Sequence, residues 1–87
     1  MTGNCENCGK WLPLEEHHVF GASNRKKSEK YGFTVYLCHD CHNEPPDGVH
    51  HNAKNMLRLH QKYQAEFEKS RSREEFMQEF GKNYLDD

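Results

Sequence analysis

The sequence predicts a small α+β domain: a β-hairpin and a short helix stapled by a metal ion, with additional C-terminal helices. Three observations lead there. Four cysteines stand in two Cys-x-x-Cys knuckles, Cys5–Cys8 and Cys38–Cys41. Two short segments between the knuckles read as strands, one of them rich in β-branched and aromatic residues. Beyond the second knuckle, apolar residues recur at helical spacing. Composition explains why a staple is needed. Of the 87 residues, 33% are hydrophobic and 30% charged, and the mean hydropathy is -1.18. A chain this short and this polar has too thin a core to fold without disulfides, a metal or a partner.

Several classes drop out. No apolar run approaches the roughly 20 residues that span a bilayer, so no membrane partner is expected. The start, Met1-Thr2-Gly3-Asn4-Cys5, lacks the charged and apolar regions of a secretory signal. A cytoplasmic protein is therefore expected. The formal net charge of -2 rules out a uniformly basic nucleic-acid binder, so any such contact must come from a local patch.

Along the chain, Cys5 to Gly9 forms the first knuckle, and Trp11 to Leu14 is a small apolar patch around Pro13. Glu15 to Phe20 reads as a short strand ending at Gly21. Ala22 to Gly32 is a polar loop with Arg25, Lys26, Lys27 and Lys30 against Glu29. Phe33 to Leu37 is the stronger strand, and the two strands make a hairpin across that loop. Cys38 to His42 opens a short helix that Pro45-Pro46 stops. From Asn52 to Lys69, Met56, Leu59, Tyr63 and Phe67 share one helical face. Ser72 and Glu75 resemble a capping box for a last helix carrying Phe76, Met77 and Phe80 and closed by Gly81. The chain is one domain: a metal-tied core over 1–44, helices over 50–81, and a tail over 82–87 in which Tyr84 and Leu85 are able to dock.

Two knuckles give the four-sulfur tetrahedron of a closed structural zinc site, with Cys5, Cys8, Cys38 and Cys41 as ligands. Residues 9–37 separate them, longer than the usual ribbon spacing of about 15–20, and a hairpin with a long loop accounts for the excess. The competing reading is two disulfides, which the expected compartment disfavours. The seven histidines divide. His39, His51 and His60 read as incidental surface residues. His17, His18 and His42 converge once the knuckles join the hairpin to the short helix. His50, beyond the Pro-Pro turn, is placed to fold back toward the same metal. Imidazoles beside a basic loop suggest metal-assisted hydrolysis of phosphate esters. One constraint stands against full convergence: neighbours on a regular strand face opposite ways, so His17 and His18 share a site only if the strand bends there.

Glu16-His17-His18-Val19, then Leu37-Cys38-x-x-Cys41-His42-Asn43, framed by Cys5-x-x-Cys8, resembles the HNH endonuclease family over residues 5–43. The later helices resemble those of small phage and prophage members such as the recombination-enhancing nucleases. The resemblance implies a ββα-metal core, a hairpin and helix around one catalytic metal, with a four-cysteine structural zinc. It implies His18 as general base and His17 and His42 as ligands of a divalent ion. The family accepts Mg²⁺ or Mn²⁺, whereas imidazole ligands favour Mn²⁺, Ni²⁺ or Zn²⁺. The implied substrate is DNA, held near the site by Arg25, Lys26, Lys27 and Lys30. The implied setting is a bacterial host, with a phage packaging or recombination complex as partner. The chain departs from the pattern in two places. Phe33 stands where most members carry an Asn that orients the base, and Phe20-Gly21 replaces the usual Pro. The rival readings are a zinc-stabilised nucleic-acid- or protein-binding module without catalysis, and an interaction protein using the Met56 to Phe67 stripe. For the basic run, the rival is a solvated loop.

Overall fold

The first knuckle is the turn of a hairpin. Strand β1 (Thr2–Asn4) lies antiparallel to β2 (Trp11–His18), with Gly3 opposite Leu12. Cys5 N–H donates to Lys10 O at 3.0 Å and Gly9 N–H to Cys5 O at 2.9 Å, closing the turn. Gly9 holds φ at 76°, a backbone state that side chains disfavour. On its other edge β2 pairs antiparallel with β3 (Thr34–Cys38), with His17 opposite Val35 and His18 opposite Thr34. The computed structural model describes residues 1–86.

The expected two-stranded hairpin is therefore a three-stranded sheet in the order β1-β2-β3. The middle strand begins at Trp11 rather than Glu15, because residues 11–14 pair with the segment before Cys5. Nothing in Thr2-Gly3-Asn4 signals a strand; the closed knuckle turn lays it along β2.

The expected basic loop is mostly helix. A 3₁₀ turn at Ala22–Asn24 leads into α1 (Arg25–Lys30). Buried Ser28 holds it: its hydroxyl donates to Phe33 O at 2.6 Å and accepts from Phe20 N–H at 3.2 Å. Asn24 Nδ2 donates to Phe80 O at 3.0 Å, and Lys27 Nζ donates to Glu79 O at 2.6 Å. This helix thus forms through long-range hydrogen bonds rather than through an apolar stripe.

Helix α2 (His39–Asn43) begins inside the second knuckle. Helices α3 (Ala53–Glu68) and α4 (Arg73–Phe80) stand where the periodicity placed them. Asn52 caps α3 by accepting from Asn55 N–H at 3.0 Å, and Ser72 caps α4 by accepting from Glu75 N–H at 3.1 Å. Gly81 ends α4 with φ at 80°, as a left-handed C-terminal cap. No helix among the described residues is long and apolar enough to cross a membrane.

The core lies between the sheet and these two helices. Leu59 and Phe67 of α3 and Phe76 and Phe80 of α4 are buried against Phe20, Phe33, Val35 and Leu37. Met56 and Tyr63 pack half-buried on the same cluster, so the α3 stripe is core. Fully buried Gln64 ties down residues 83–84, which the sequence assigns to a tail. Its Nε2 donates to Asn83 Oδ1 at 2.8 Å and its Oε1 accepts from Tyr84 N–H at 2.7 Å. Asp87, the last residue of that expected tail, lies outside the described residues.

Phe76 is fully buried and Met77, beside it, is 45% exposed. Denaturant unfolding should show Phe76→Ala costing about 3–5 kcal/mol, while Met77→Ala stays within about 0.5 kcal/mol. Equal costs would mean that α4 does not pack as described.

Candidate functional site

The sheet and α2 bring the four cysteines together. All four are free thiols, and their sulfurs lie within 4.8 Å of one another. Cys8 Sγ is 3.9 Å from Cys38 Sγ. Four sulfurs at about 2.3 Å from a central zinc stand about 3.8 Å apart, whereas a disulfide brings two sulfurs to about 2.0 Å. The cluster therefore fits a tetrahedral metal shell. Asn7 and Cys8 N–H groups donate to Cys5 Sγ at 3.4 and 3.5 Å. Burial pushes the Cys5 thiol up, but hydrogen bonds from the backbones of Cys8, Cys38 and Asn7 outweigh it and bring it to about 6. Burial, reinforced by the neighbouring sulfurs against a hydrogen bond to Asn7, pushes Cys41 up to about 12. Thiolates this close repel, and a bound cation relieves that repulsion.

A second cluster forms on the other side of α2. His17 points from β2 into the domain and is 4% exposed. His42 follows Cys41 on α2. His50 arrives because residues 48–50 fold back on α2. Gly48 N–H donates to Glu44 O at 2.7 Å, Val49 N–H to Cys41 O at 2.8 Å and His50 N–H to His42 O at 3.3 Å. A side chain on Gly48 would meet the Glu44 backbone at 2.6 Å, so only glycine permits this approach. The His17 ring centroid lies 5.1 Å from that of His42 and 5.2 Å from that of His50. His42 Nε2 is 3.2 Å from His50 Nε2, and one ring nitrogen from each of the three lies within 4.8 Å of the others.

Two details suit this cluster to a cation. First, among the described residues, His17 Nε2 is the one buried side-chain nitrogen or oxygen without a hydrogen-bond partner. Such an atom costs stability unless something binds it. Second, Glu15 Oε1 is 2.9 Å from His42 Nδ1 and accepts from Asn43 Nδ2 at 3.0 Å. A carboxylate at Nδ1 places the proton there and leaves the Nε2 lone pair for a metal. Hydrogen bonds from His42 and His39 hold the Glu15 carboxyl below its usual range. Burial, then the charges of His42 and His50, lowers His17 to about 4. Burial and His42 lower His50 as well. His17 and His50 are thus kept neutral, as ligands must be.

His18 does not join this trio. The strand stays regular through its register, so His18 faces away from His17. Its Nε2 is 2.7 Å from Glu29 Oε1 on α1 and 3.8 Å from Glu16 Oε1. The expected convergence of His17, His18 and His42 is replaced by His17, His42 and His50. His18 nevertheless lines the same cavity of about 510 Å³ as those three. Pairing with Glu29 places the proton on Nε2 and leaves the Nδ1 lone pair available. Glu29 was invisible in the sequence because it counted only as one anion among cations. Recognising it required α1, which turns it toward β2.

The basic run separates. Arg25 lines the cavity, and Lys26 is exposed beside it. Lys27 is bound to the end of α4 and so does not stand free for phosphate. Lys30 Nζ sits 5.1 Å from the Tyr31 ring centroid. Phe33, where the resemblance expects Asn, is a core residue packed on Phe20, Tyr63 and Phe67. Asn24 and Asn43 bond to Phe80 O and Glu15 rather than to His18. His39 lies between Glu15 and Glu44, whose hydrogen bonds raise its pKa. His60 is not incidental: its Nε2 donates to Val19 O at 2.8 Å, and it lines the cavity.

No protein-family model, curated protein or solved structure matches this chain. The functional reading therefore rests on the geometry of its own residues.

Glu15→Gln leaves the trio intact but weakens the acceptor at His42 Nδ1. Titration with Ni²⁺ or Co²⁺ should show affinity at the trio falling about 10- to 100-fold. Unchanged affinity would mean that His42 does not bind metal through Nε2.

Proposed function

We propose that this chain is a metal-dependent endonuclease of the HNH type, hydrolysing DNA phosphodiester bonds, with zinc in the four-cysteine cluster. The observation that carries the reading is the single cavity lined both by His17, His42 and His50 and by the carboxylate-paired His18. Three imidazoles are too few to close a coordination shell, which is what a catalytic site requires and a structural site avoids. His17, His42 and His50 would hold a divalent ion, which would supply charge neutralisation at the phosphoryl oxygen and the departing 3′ oxygen.

The residues of the chain do the rest. His18 Nδ1 takes a proton from water as the water oxygen bonds to phosphorus. The bond from phosphorus to the 3′ oxygen breaks, and that oxygen takes a proton from solvent. His18 suits the task because its pairing with Glu29 leaves the Nδ1 lone pair to take a proton. Glu29 accepts a hydrogen bond from Nε2–H, fixes the tautomer and stabilises the imidazolium that forms. Arg25, on the cavity wall, holds a neighbouring phosphate without reading sequence.

Phe33, at the position of the orienting Asn, is what favours the reading as a binding module. Phe33 is 5% exposed within the core. The departure is thus one of packing, and Glu29 offers His18 the support that Asn would.

Nicking of supercoiled plasmid and cutting of single-stranded circular DNA, each across Mg²⁺, Mn²⁺, Ni²⁺ and Zn²⁺, test the assignment. Wild type should cut at least one of them with at least one ion, and His18→Ala should lose about 10²- to 10⁴-fold. Glu29→Ala should lose about 10- to 100-fold, mainly in kcat. Equal cutting by wild type and His18→Ala, or silence of both, would overturn it.

A further inference from the structure

The cavity does not stop at the histidines. Its far wall is made by Met56 and His60 of α3 and by Tyr84. A second hollow of about 410 Å³ shares those three residues and continues to Lys82. The two adjoin at those residues, with Arg25 on the wall of the first hollow and Lys82 on that of the second. Glu16 also lines the first hollow, at the His18 end.

The stretch between the cations is aromatic and fixed. His60 lies flat on Phe20, with centroids 5.1 Å apart and planes at 13°. Its hydrogen bond to Val19 O locks the ring. Burial lowers the pKa of His60, so at neutral pH it offers a ring rather than a charge. Tyr84 stands 4.4 Å from His60, and Lys82 Nζ lies 5.1 Å from the Tyr84 ring centroid.

We propose that this stretch is a nucleobase subsite and that the substrate enters as an unpaired strand. A base lies against Tyr84 and His60, and flanking phosphates meet Arg25 and Lys82. The assignment of a scissile phosphate at the histidine end rests on the endonuclease reading; the base subsite does not. Charge and shape favour an unpaired strand. A base has a π-face to offer an aromatic wall whatever its identity. In duplex that face is covered by its neighbours, and a base must leave the stack to enter a concave site. A duplex footprint also depends on many phosphate contacts. This domain carries a net charge of -2, and Lys27 is already committed to α4.

The test is fluorescence anisotropy with the zinc-loaded protein and no added divalent ion. The probes are a labelled oligothymidylate, an abasic strand of equal length, and a duplex of that length. Oligothymidylate should bind about 5- to 100-fold tighter than the abasic strand. It should also bind tighter than the duplex. Tyr84→Ala should erase most of the difference, Tyr84→Phe should keep it, and Lys82→Gln should reduce the salt dependence by about one counterion. Equal binding of thymidylate and abasic strands by wild type would overturn the proposal even if Tyr84→Ala failed to fold. So would duplex binding as tight as thymidylate, or unchanged binding by a folded Tyr84→Ala. Strand binding that depends on Tyr84, with no nicking by any ion, would uphold the subsite and remove the endonuclease reading. Nicking with no preference for unpaired strand would do the reverse.

Discussion

The joining of two Cys-x-x-Cys knuckles is the constraint on which the rest of the structure depends. The first knuckle is the turn between β1 and β2, and the second is the joint between β3 and α2. Bringing four sulfurs within 4.8 Å therefore aligns the sheet and fixes where α2 starts. The Glu6 N–H bond to Tyr36 O, at 3.0 Å, holds the first knuckle on β3. His42 comes directly after the last cysteine, so the same constraint delivers it to the face of β2 that carries His17. The cysteines and the histidine trio are chemically separate but geometrically one problem.

The period-two alternation of β2 then assigns two tasks to adjacent residues. His17 goes inward to His42 and His50; His18 goes across to Glu29. What positions Glu29 is remote. Helix α1 is anchored by Ser28 in the core and by Asn24 and Lys27 on the last carbonyls of α4. The C-terminal helices thus supply more than apolar cover. They hold the element that orients the proposed base, and α3 with Tyr84 forms the far wall of the same cavity.

The legible parts of this fold were those with a local signature. Paired cysteines announce a metal shell, the Met56 to Phe67 stripe announces α3, and Ser72 with Gly81 brackets α4. The strand at Phe33 to Leu37 declared itself through β-branched and aromatic residues, although Phe33 itself serves the core. The missed parts were those made by contacts that leave no pattern in the local sequence. Strand β1 is three residues with no pattern of their own, paired because a turn closes. Helix α1 has no apolar face, because hydrogen bonds to Phe20, Phe33, Glu79 and Phe80 hold it. His50 is a candidate from its place beyond the Pro-Pro turn; what spacing does not reveal is that its approach depends on Gly48 against Glu44. Glu29 and Glu15 escaped notice for a related reason: a carboxylate that orients a histidine has no motif, only a position.

The central claim is that one small chain carries two cation sites of opposite character, closed at the cysteines and open at the histidines. Native mass spectrometry during graded chelation, followed in parallel by circular dichroism, tests it most directly. The account predicts two steps. A first ion leaves the histidine trio under mild chelation while the fold persists, and a second, zinc, leaves only under strong chelation and takes the fold with it. A single class of bound metal, or a chain that stays folded with both sites stripped, would contradict it.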